Sequence, residues 1–485
     1  MNQAFSKRSE RVIRNKKESD DAEAKVLLVS NGFPPVGQWG TEFYTHQLAS
    51  GLQARGREVA VFIPVRESEG ERYSLKISRR HGLDLFELAN AGDPKKSFTD
   101  SYKDEGVEQA FARVLREFKP KTVHFNHFLW GLSVGLPQVA AEFGARVVAT
   151  VTDLGLLCHR GQFYNSELQP CGGPSSVEEC ARCVREPSKH DAKALELFIR
   201  RLAVRGAASL GGFGRIVVAS DLEQRVSEVR EAASFIDNWV FPTKALLEEF
   251  QSHGLALGHA EVLPYGIDEE AFKLPERGEK PRALRFSYLG QFMPHKGLEH
   301  LLAAVHLMES RLPESVAPWT LHCHGHGSPG RHQLYAERAF EPVRGSRRVI
   351  DAGCFPPLDA PRVMNETDVL IVPSLWMENA PLAVLQARAA GVPVIASDVA
   401  GVREVMEIPL HGALVPPGDV EALADAMRAA ILEGPRRYQP DPVIAYSDHL
   451  DRVEQLYGER SSVIQPSQAP PRLELKTETE NAVQA

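Results

Sequence analysis

Residues 368–401 read DVLIVPSLWMENAPLAVLQARAAGVPVIASDVAG, and this stretch gives the strongest indication of the fold. Apolar and β-branched residues at 369–372 predict a buried strand, and a helical pattern begins near Ala380 or Pro381. A second short apolar run at 394–396 predicts the next strand. Strand, helix and strand in this order are typical of a βαβ unit, so we expect a parallel sheet covered by helices.

Glu378 lies between the first strand and the helix, at the carboxyl edge of the sheet, where ligands of open α/β sheets bind. The helix N-terminus offers free N–H groups and a positive dipole end to a diphosphate, and Pro381 suits a first helical position. Gln386 follows on the same side of the helix, within reach of a ribose. As an alternative, the Glu378 carboxylate only stabilises the dipole of its own helix.

The same pattern occurs near the start of the chain, where a strand at 25–30 leads through a glycine loop to a helix from Thr41 and a strand at 58–63. The sequence therefore predicts an α/β protein with two facing Rossmann-like, doubly wound domains. Further strands are predicted at 122–125, 146–152 and 216–219 in the first domain, and at 285–289 and 320–324 in the second.

The domain organisation follows from the same patterns and from changes in composition. We predict a disordered leader at 1–24, an N-terminal domain at 25–270, a linker at 271–282, a C-terminal domain at 283–440, a helix at 441–460 that packs back on the first domain, and a disordered tail at 461–485.

Composition narrows the functional classes. The 485 residues carry a formal net charge of -8, with 25% charged and 43% apolar residues, which argues against general affinity for nucleic acid. No apolar run approaches the roughly 20 residues that cross a bilayer. We therefore expect a cytoplasmic protein, with peripheral membrane attachment as an open possibility.

The 368–401 stretch resembles the donor-site signature of the family 4 glycosyltransferases, which have the GT-B fold. Three further pieces carry the resemblance in order: PPVGQWGTE at 34–42, PYGID at 264–268 and YLGQFMPHKG at 288–297. The resemblance implies a retaining hexosyltransferase that takes a sugar from a nucleotide-diphosphate donor to a saccharide or lipid-linked acceptor. It implies front-face attack assisted by the leaving phosphate, with no cofactor required for catalysis.

For the donor site, the resemblance implies that Glu378 lies near the hydroxyls of the transferred sugar and that Lys296 offsets charge on the leaving diphosphate. Gln386 and Gln291 depart from the Glu and Arg that are usual in the family, and Arg403 is a candidate to replace the missing cation. As an alternative, Lys296 is a solvated surface lysine. The other donor-binding positions are Gly290, Asn379, Ala380, Pro381 and Leu382.

Gly37 and Gly40 precede the first helix, where small residues let the backbone approach a ligand. In the family this loop lies close to the donor phosphates and the acceptor, so both glycines are predicted site residues. Read without that context, the loop is equally compatible with an ordinary tight turn.

On the acceptor side, His124 and His127 lie at the C-terminal end of one predicted strand, and Asp153 lies at that of the next. A subset of the family has His-Asp where this chain has Thr152-Asp153, close to the reacting sugar. The resemblance therefore makes Asp153 the preferred acceptor-side residue, with His127 taking part of the work of the missing imidazole. As an alternative, either histidine is a packed, hydrogen-bonded residue of the core or rim.

Four cysteines lie in one insertion at 158–183, and they end in a Cys-x-x-Cys pair. Four thiolates can hold a tetrahedral structural zinc, and similar insertions occur in the same family subset. Unliganded or redox-active cysteines are the alternative, because spacing alone does not establish a metal site. The four are Cys158, Cys171, Cys180 and Cys183, while Cys323 and Cys354 are predicted to be ordinary buried residues.

The segment 189–215 is basic and amphipathic, which favours contact with anionic lipid and would suit a lipid-linked acceptor. A buried helix with a few surface arginines is the alternative. Two other functions also stay open: a nucleotide-sugar epimerase or hydrolase, and a catalytically weakened sugar-nucleotide-binding protein. The second is favoured by Gln291, Gln386 and Thr152.

Overall fold

The computed structural model describes most of the chain between residues 25 and 458. The described ranges are 25–35, 39–65, 71–90, 97–174, 176–187, 194–209, 217–273, 283–313, 316–326, 333–435 and 437–458. The predicted leader and tail, Gly37 and most of the predicted linker lie outside these ranges.

The first domain is built on an eight-stranded sheet. Its strands are β1 (Val26–Val29), β2 (Val59–Val65), β3 (Leu75–Arg80), β4 (Leu83–Ala89), β5 (Thr122–Phe125), β6 (Arg146–Thr150), β7 (Asn238–Phe241) and β8 (His259–Val262), in the order β3-β4-β2-β1-β5-β6-β7-β8. All neighbours are parallel except β3 and β4. Its helices are α1 (Gly40–Ala54), α2 (Glu105–Phe118), α3 (Leu136–Phe143), α4 (Val177–Arg185), α5 (Ala194–Ser209), α6 (Ala219–Ala233) and α7 (Lys244–Ser252).

The second domain has six parallel strands. They are β9 (Leu284–Leu289), β10 (Trp319–His324), β11 (Val349–Gly353), β12 (Val369–Val372), β13 (Val394–Ser397) and β14 (Gly412–Val415), in the order β11-β10-β9-β12-β13-β14. Its helices are α8 (Leu298–Arg311), α9 (Gln333–Ala339), α10 (Ala360–Glu366), α11 (Leu382–Ala389), α12 (Ala400–Val405) and α13 (Val420–Glu433). A last helix, α14 (Tyr446–Gly458), follows the domain.

One strand in the middle of each sheet, β1 and β12, is wholly apolar, as expected of a parallel sheet covered by helices on both faces. β1 reads VLLV and β12 reads VLIV, and all four residues of each are buried. This arrangement confirms the predicted fold class of two Rossmann-like, doubly wound α/β domains.

Each sheet has a point where the strand order reverses, and ligands of such sheets bind beside it. In the first sheet this point lies between β1 and β5, and in the second between β9 and β12. The loops that carry the predicted site residues follow β1, β5, β6, β9 and β12. The fold therefore brings residues from distant parts of the sequence to the carboxyl edges of the two sheets.

The helix α14 packs against the first domain, although it follows the second in sequence. Its side chains Leu450, Val453 and Leu456 are buried. The Tyr446 hydroxyl donates to the carbonyl of Gln47 on α1. This helix therefore links the end of the second domain back to the first domain.

Hydrogen bonds at Thr243 and at the start of α7 also join the domains. Thr243 Oγ1 donates to the carbonyl oxygen of Asn379 at 2.7 Å. The first N–H groups of α7, at Lys244 and Ala245, donate to the carboxylate of Glu404 at 2.5 and 3.0 Å. A carboxylate of the second domain therefore caps the N-terminus of a helix in the first, where the helix dipole favours negative charge.

One predicted strand is wrong. The run at 216–219 contains Ala219, which begins α6, and residues 217 and 218 have no regular structure, while Ile216 lies outside the described ranges. The strand that pairs with β6 is instead β7, which reads NWVF. An apolar run of three or four residues next to a helix does not by itself distinguish a strand from the first turn of that helix.

The turn after β9 depends on a glycine. Gly297 has a φ of +72°, and a Cβ atom there would lie 1.8 Å from the carbonyl oxygen of Pro373 at the end of β12. Only glycine permits this approach without strain. Because Lys296 directly precedes Gly297, the packing also fixes the position of that lysine.

We predict that Gly297→Ala destabilises the protein more than Gly345→Ala does. Gly345 has a φ of +90°, and a Cβ atom there would have no neighbour within 4 Å, so its variant carries only the left-handed strain, about 1–2 kcal/mol. Gly297→Ala adds overpacking of about 1–3 kcal/mol. Urea denaturation measures both, and equal losses in the free energy of unfolding would contradict this explanation of the turn.

Candidate active site

A cleft of about 1220 Å³ lies between the two domains and is lined by residues of both. A smaller cavity of about 160 Å³ adjoins it and shares the lining residues Gly40, Gly290 and Leu382. Residues of the loops that follow β5, β6, β9 and β12 line the cleft. The points at which the strand order reverses in the two sheets therefore face the same cleft.

Lys296 and Glu378 form an ion pair at the second-domain wall of this cleft. Lys296 Nζ donates to Glu378 Oε1 at 2.7 Å, and Ser374 Oγ donates to the same oxygen at 2.5 Å. The Lys296 ammonium also lies 4.8 Å from the centre of the Trp376 ring. Lys296 thus has specific partners in the cleft, which does not fit the alternative of a solvated surface lysine.

The backbone around Glu378 is strained and tightly packed. Glu378 is only 4% exposed and has a φ of +48°, a left-handed conformation that is uncommon for a residue with a side chain. Gly401 packs behind it, since a Cβ there would lie 2.1 Å from the Glu378 carbonyl oxygen. Strain of this kind costs about 1–3 kcal/mol and concentrates at functional sites, where the surrounding structure enforces it.

The helix that follows begins at Leu382, one or two residues later than predicted, with Pro381 as its N-cap residue. Pro381 cannot donate a hydrogen bond, so the first donors are the N–H groups of the helix itself. Residues 380–383 all line the cleft. The start of α11 therefore presents N–H groups and a positive dipole end beside Lys296.

The smaller cavity contains Gln386, which is buried, together with the rings of Trp39, His324 and Phe355. A polar amide among aromatic rings offers hydrogen bonds to a ribose and stacking faces to a base. Gln291, in contrast, lines the main cleft, where its backbone carbonyl oxygen accepts from the hydroxyl of Tyr288 at 2.7 Å. The two departures from the family pattern thus lie in different cavities.

Gly40 begins α1 and lies opposite the start of α11. A Cβ at Gly40 would lie 3.6 Å from Leu382 Cδ1, an ordinary contact distance, so the domains meet closely there. Two helix N-termini, one from each domain, therefore border the same space.

Across the cleft, His127 and Asp153 form a hydrogen-bonded pair of 3.0 Å between Nε2 and Oδ2. The Nδ1 atom of His127 accepts the backbone N–H of Leu129 at 3.1 Å, so the proton of a neutral ring is on Nε2 and points at the carboxylate. Burial alone would raise the pKa of Asp153, but His127 and the N–H of Gly155 outweigh it and lower the pKa below its ordinary value. Asp153 is therefore an oriented, ionised carboxylate whose side chain is 28% exposed to the cleft.

Asn379 has a contact that sequence reasoning missed. Its Nδ2 atom donates to the backbone carbonyl of Thr152, and the Thr152 hydroxyl donates to the carbonyl of Asn126 at 2.8 Å. Asn379 lines the cleft, and its side-chain amide also joins the two domains at Thr152, the residue before Asp153.

Two other members of the site were missed as well. Ser374 and Trp376 lie within four residues of Glu378, and both contact the Lys296–Glu378 pair or its lysine. A polar residue directly at the end of a buried strand was the available signal for Ser374.

Two candidates do not line the cleft. His124 is fully buried, and its ring nitrogens lie 2.8 Å from the Tyr457 hydroxyl and 2.7 Å from Thr150 Oγ1, so it is a packed core residue. Burial lowers the pKa of His124 to about 3, which keeps the ring neutral. Arg403 is exposed and donates to Asp398 Oδ1 at 2.7 Å, so it does not replace the cation missing at Gln291.

The four cysteines of the insertion are free thiols that influence one another. Burial, assisted by the other three cysteines, raises the pKa of Cys180 to about 12. Within the described ranges, no group of three or more His, Cys, Asp or Glu side chains is arranged to hold a metal ion. The structural zinc therefore stays a prediction. Cys323 is buried as predicted, whereas Cys354 is exposed, so that prediction is wrong.

The described part of the basic segment 189–215 is α5, which exposes large apolar side chains at Phe198, Ile199 and Leu202. Other residues of α5 line the cleft. Among the helices that the structure describes, none combines the length and the apolar character needed to cross a bilayer.

Two family models match the chain. One, described as a glycosyl transferase 4-like domain, matches residues 40–266, and the other, described as glycosyl transferases group 1, matches residues 283–433. Together they take in most of the chain and divide it where the two sheets divide.

Proteins of known function that are similar in sequence to this chain are also glycosyltransferases. The phosphatidyl-myo-inositol mannosyltransferase of Mycobacterium leprae is 31% identical over 180 residues, 36% of this chain and 46% of that one. The glycogen synthase of Mycobacterium tuberculosis is 26% identical over 422 residues, 86% of this chain and 87% of that one. The chain spans less than half the length of the mannosyltransferase and of two matched glycosyltransferases from Erwinia amylovora and Escherichia coli.

Among solved structures, Anabaena HepE in complex with UDP-glucose superposes with a TM-score of 0.55 at 14% identity, covering 90% of this chain and 95% of that one. At this identity the likeness concerns the fold. With the donor-site signature, the two family matches and two Rossmann-like domains around one cleft, the chain belongs to the family 4 glycosyltransferases, which have the GT-B fold.

Proposed function

We propose that the protein transfers a sugar, with retention of anomeric configuration, from a nucleotide-diphosphate sugar to a saccharide or lipid-linked acceptor. The observation that carries this proposal is the Lys296–Glu378 pair beside the start of α11, facing the Asp153–His127 pair across one cleft. One wall suits a diphosphate and the sugar attached to it, and the other offers an oriented carboxylate.

The donor is proposed to bind the second domain. Its diphosphate would lie against Lys296 and the first N–H groups of α11, both of which favour negative charge. The ribose and base would occupy the smaller cavity beside Gln386, whose amide and aromatic neighbours suit a nucleoside. The UDP-glucose complex of Anabaena HepE, which shares the fold, supports a donor of this class.

Lys296 is also proposed to act during the reaction. As the bond between the sugar and the diphosphate breaks, negative charge grows on the leaving oxygen, and a nearby ammonium stabilises it. In the free protein Glu378 balances the lysine. A bound donor would share the lysine with Glu378, whose other oxygen is then placed for a sugar hydroxyl.

On the acceptor side, the sugar would project toward Asp153. The acceptor oxygen attacks the anomeric carbon from the face that the diphosphate leaves, and its proton passes to the departing phosphate. This front-face course gives retention and is an expectation from the family. The Asp153 carboxylate, held by His127, would orient the acceptor hydroxyls, and closure of the cleft would exclude water.

The acceptor class is proposed from two relatives. One is named for phosphatidyl-myo-inositol, a lipid, and the other is named a glycogen synthase, which implies a polysaccharide. We therefore propose a role in glycolipid or polysaccharide biosynthesis, with a lipid-linked acceptor reached at the inner face of a membrane.

Two alternative functions would use the same proposed donor site. Gln291 and Gln386 replace the charged residues usual in the family, which would suit a sugar-nucleotide-binding protein with weakened catalysis. A nucleotide-sugar epimerase or hydrolase would use the same donor site. Consumption of donor without any acceptor would identify the hydrolase or epimerase, and donor binding without consumption would identify the binding protein.

We predict acceptor-dependent release of nucleotide diphosphate from one member of a panel of UDP-, GDP- and ADP-sugars. The assay is run with and without a mixed lipid and oligosaccharide extract. Lys296→Ala and Glu378→Ala should each lower the release by about 100- to 1000-fold, because each removes a group that stabilises charge or position at the reacting bond.

The matched controls are Lys273→Ala and Glu421→Ala, which change exposed residues that do not line the cleft. Both should keep wild-type rates. If no nucleotide sugar of the panel yields nucleotide diphosphate although one of them binds measurably, the transferase proposal is wrong and the binding-protein alternative is favoured.

We also predict that Asp153→Asn lowers acceptor-dependent release by about 100-fold or more, since the amide loses the charge that His127 orients. Affinity for the nucleotide diphosphate should stay at the wild-type value, measured by calorimetry. Asp84→Asn, at an exposed position of β4, is the control. Transfer at the wild-type rate in Asp153→Asn would remove this residue from the mechanism.

A further inference from the structure

The far half of the cleft is lined by the cysteine-containing insertion and by α5. We call this surface the insertion wall, and it consists of the cleft-lining residues within 159–168, 184–187 and 200–204. The donor assignment above uses none of it. Its side chains therefore face the space left for the acceptor.

The insertion wall is positively charged. It contains three arginines, Arg160, Arg185 and Arg200, against one carboxylate, Glu186. Burial, with the charges of two nearby arginines, lowers the pKa of His159 to about 3, so this histidine is neutral and does not change the balance. Among the described lining residues of the wall, cations thus outnumber anions.

Arg185 is the arginine with spare hydrogen-bonding capacity. It ends α4, and its buried side-chain Nε atom has no hydrogen-bond partner among the described residues. Arg160, in contrast, donates from Nη2 to the backbone carbonyl oxygen of Cys183 at 2.6 Å, and Arg200 pairs with Glu196 at 2.6 Å. A buried guanidinium N–H without an acceptor is costly, and an anionic ligand would satisfy it.

We propose that the insertion wall is a subsite for a phosphate-type anion on the acceptor, with Arg185 as its principal binding group. This rests on the proposed function, since it treats this half of the cleft as the acceptor side. A guanidinium binds phosphate through two parallel hydrogen bonds, so the site would select an acceptor that carries its sugar on a phosphate or diphosphate.

The neighbouring surface favours a lipid as the source of the phosphate. On α5, Phe198, Ile199 and Leu202 are 61%, 57% and 53% exposed, and Arg200 lies among them in sequence. An apolar chain could contact these side chains while its phosphate reaches the insertion wall. A soluble sugar phosphate offers the same charged group without the chain, and the two sources are separated below.

The test is calorimetric binding of three probes: farnesyl phosphate, farnesol and glucose 1-phosphate. Each is titrated into protein already saturated with the nucleotide diphosphate identified in the panel, or into free protein if none binds. We expect farnesyl phosphate to bind at least about 10-fold more tightly than farnesol. The substitution Arg185→Gln should lower the affinity for farnesyl phosphate by about 10- to 100-fold. Tight binding of glucose 1-phosphate with the same dependence on Arg185 would make a soluble phosphate the source.

Controls separate this site from the donor site and from misfolding. Arg182→Gln, one turn earlier on α4, changes an arginine with a 56% exposed side chain and should bind all probes as the wild type does. Arg185→Lys keeps the charge and should retain part of the affinity. Both Arg185 variants should unfold at the wild-type urea concentration.

Two results would overturn the proposal: equal affinity for farnesyl phosphate in wild type and Arg185→Gln, or loss of that affinity only in Lys296→Ala, which would place the anion at the donor diphosphate site. Because these are binding measurements, they fail or succeed independently of transfer. A protein that transfers no sugar can still show the Arg185 effect, and one that transfers sugar can lack it.

Discussion

The parallel pairing of β9 with β12 holds the two halves of the proposed donor site together. These strands are neighbours in the middle of the second sheet although more than 80 residues separate them in sequence. Their carboxyl ends deliver Lys296 and Glu378 to the same point, where the left-handed turn at Gly297 packs on Pro373. The ion pair is therefore a consequence of strand order, and it places opposite charges beside a helix N-terminus before any ligand arrives.

The first domain completes the site because contacts on both sides of the cleft fix its position. Behind the sheets, α14 returns to the first domain, and in front Asn379 and Glu404 reach across to backbone groups. These contacts set the Asp153–His127 pair opposite the Lys296–Glu378 pair. The cleft therefore has a lysine and a helix N-terminus on one wall and a fixed carboxylate on the other.

Much of this could be predicted from the sequence. The strand–helix–strand pattern of 368–401 determines local structure, and the rules for parallel sheets then place Glu378 at a carboxyl edge. Lys296 was predictable only through the resemblance of residues 288–297 to the family, because the pairing of its strand with β12 is not visible in the sequence. The amide of Asn379 was not, since its partner is a backbone carbonyl more than 200 residues away. Arg185 was not predictable either, because the lack of a hydrogen-bond partner for its Nε atom among the described residues is a property of the packed insertion, and sequence patterns report only local periodicity.

A crystal structure with the nucleotide sugar identified by the panel would test the donor assignment without relying on kinetics. We expect a diphosphate within hydrogen-bonding distance of Lys296 and the first N–H groups of α11, a ribose beside Gln386, and a sugar directed at Asp153. A nucleotide bound with its diphosphate on the first domain, or with Lys296 still paired only to Glu378, would contradict the assignment.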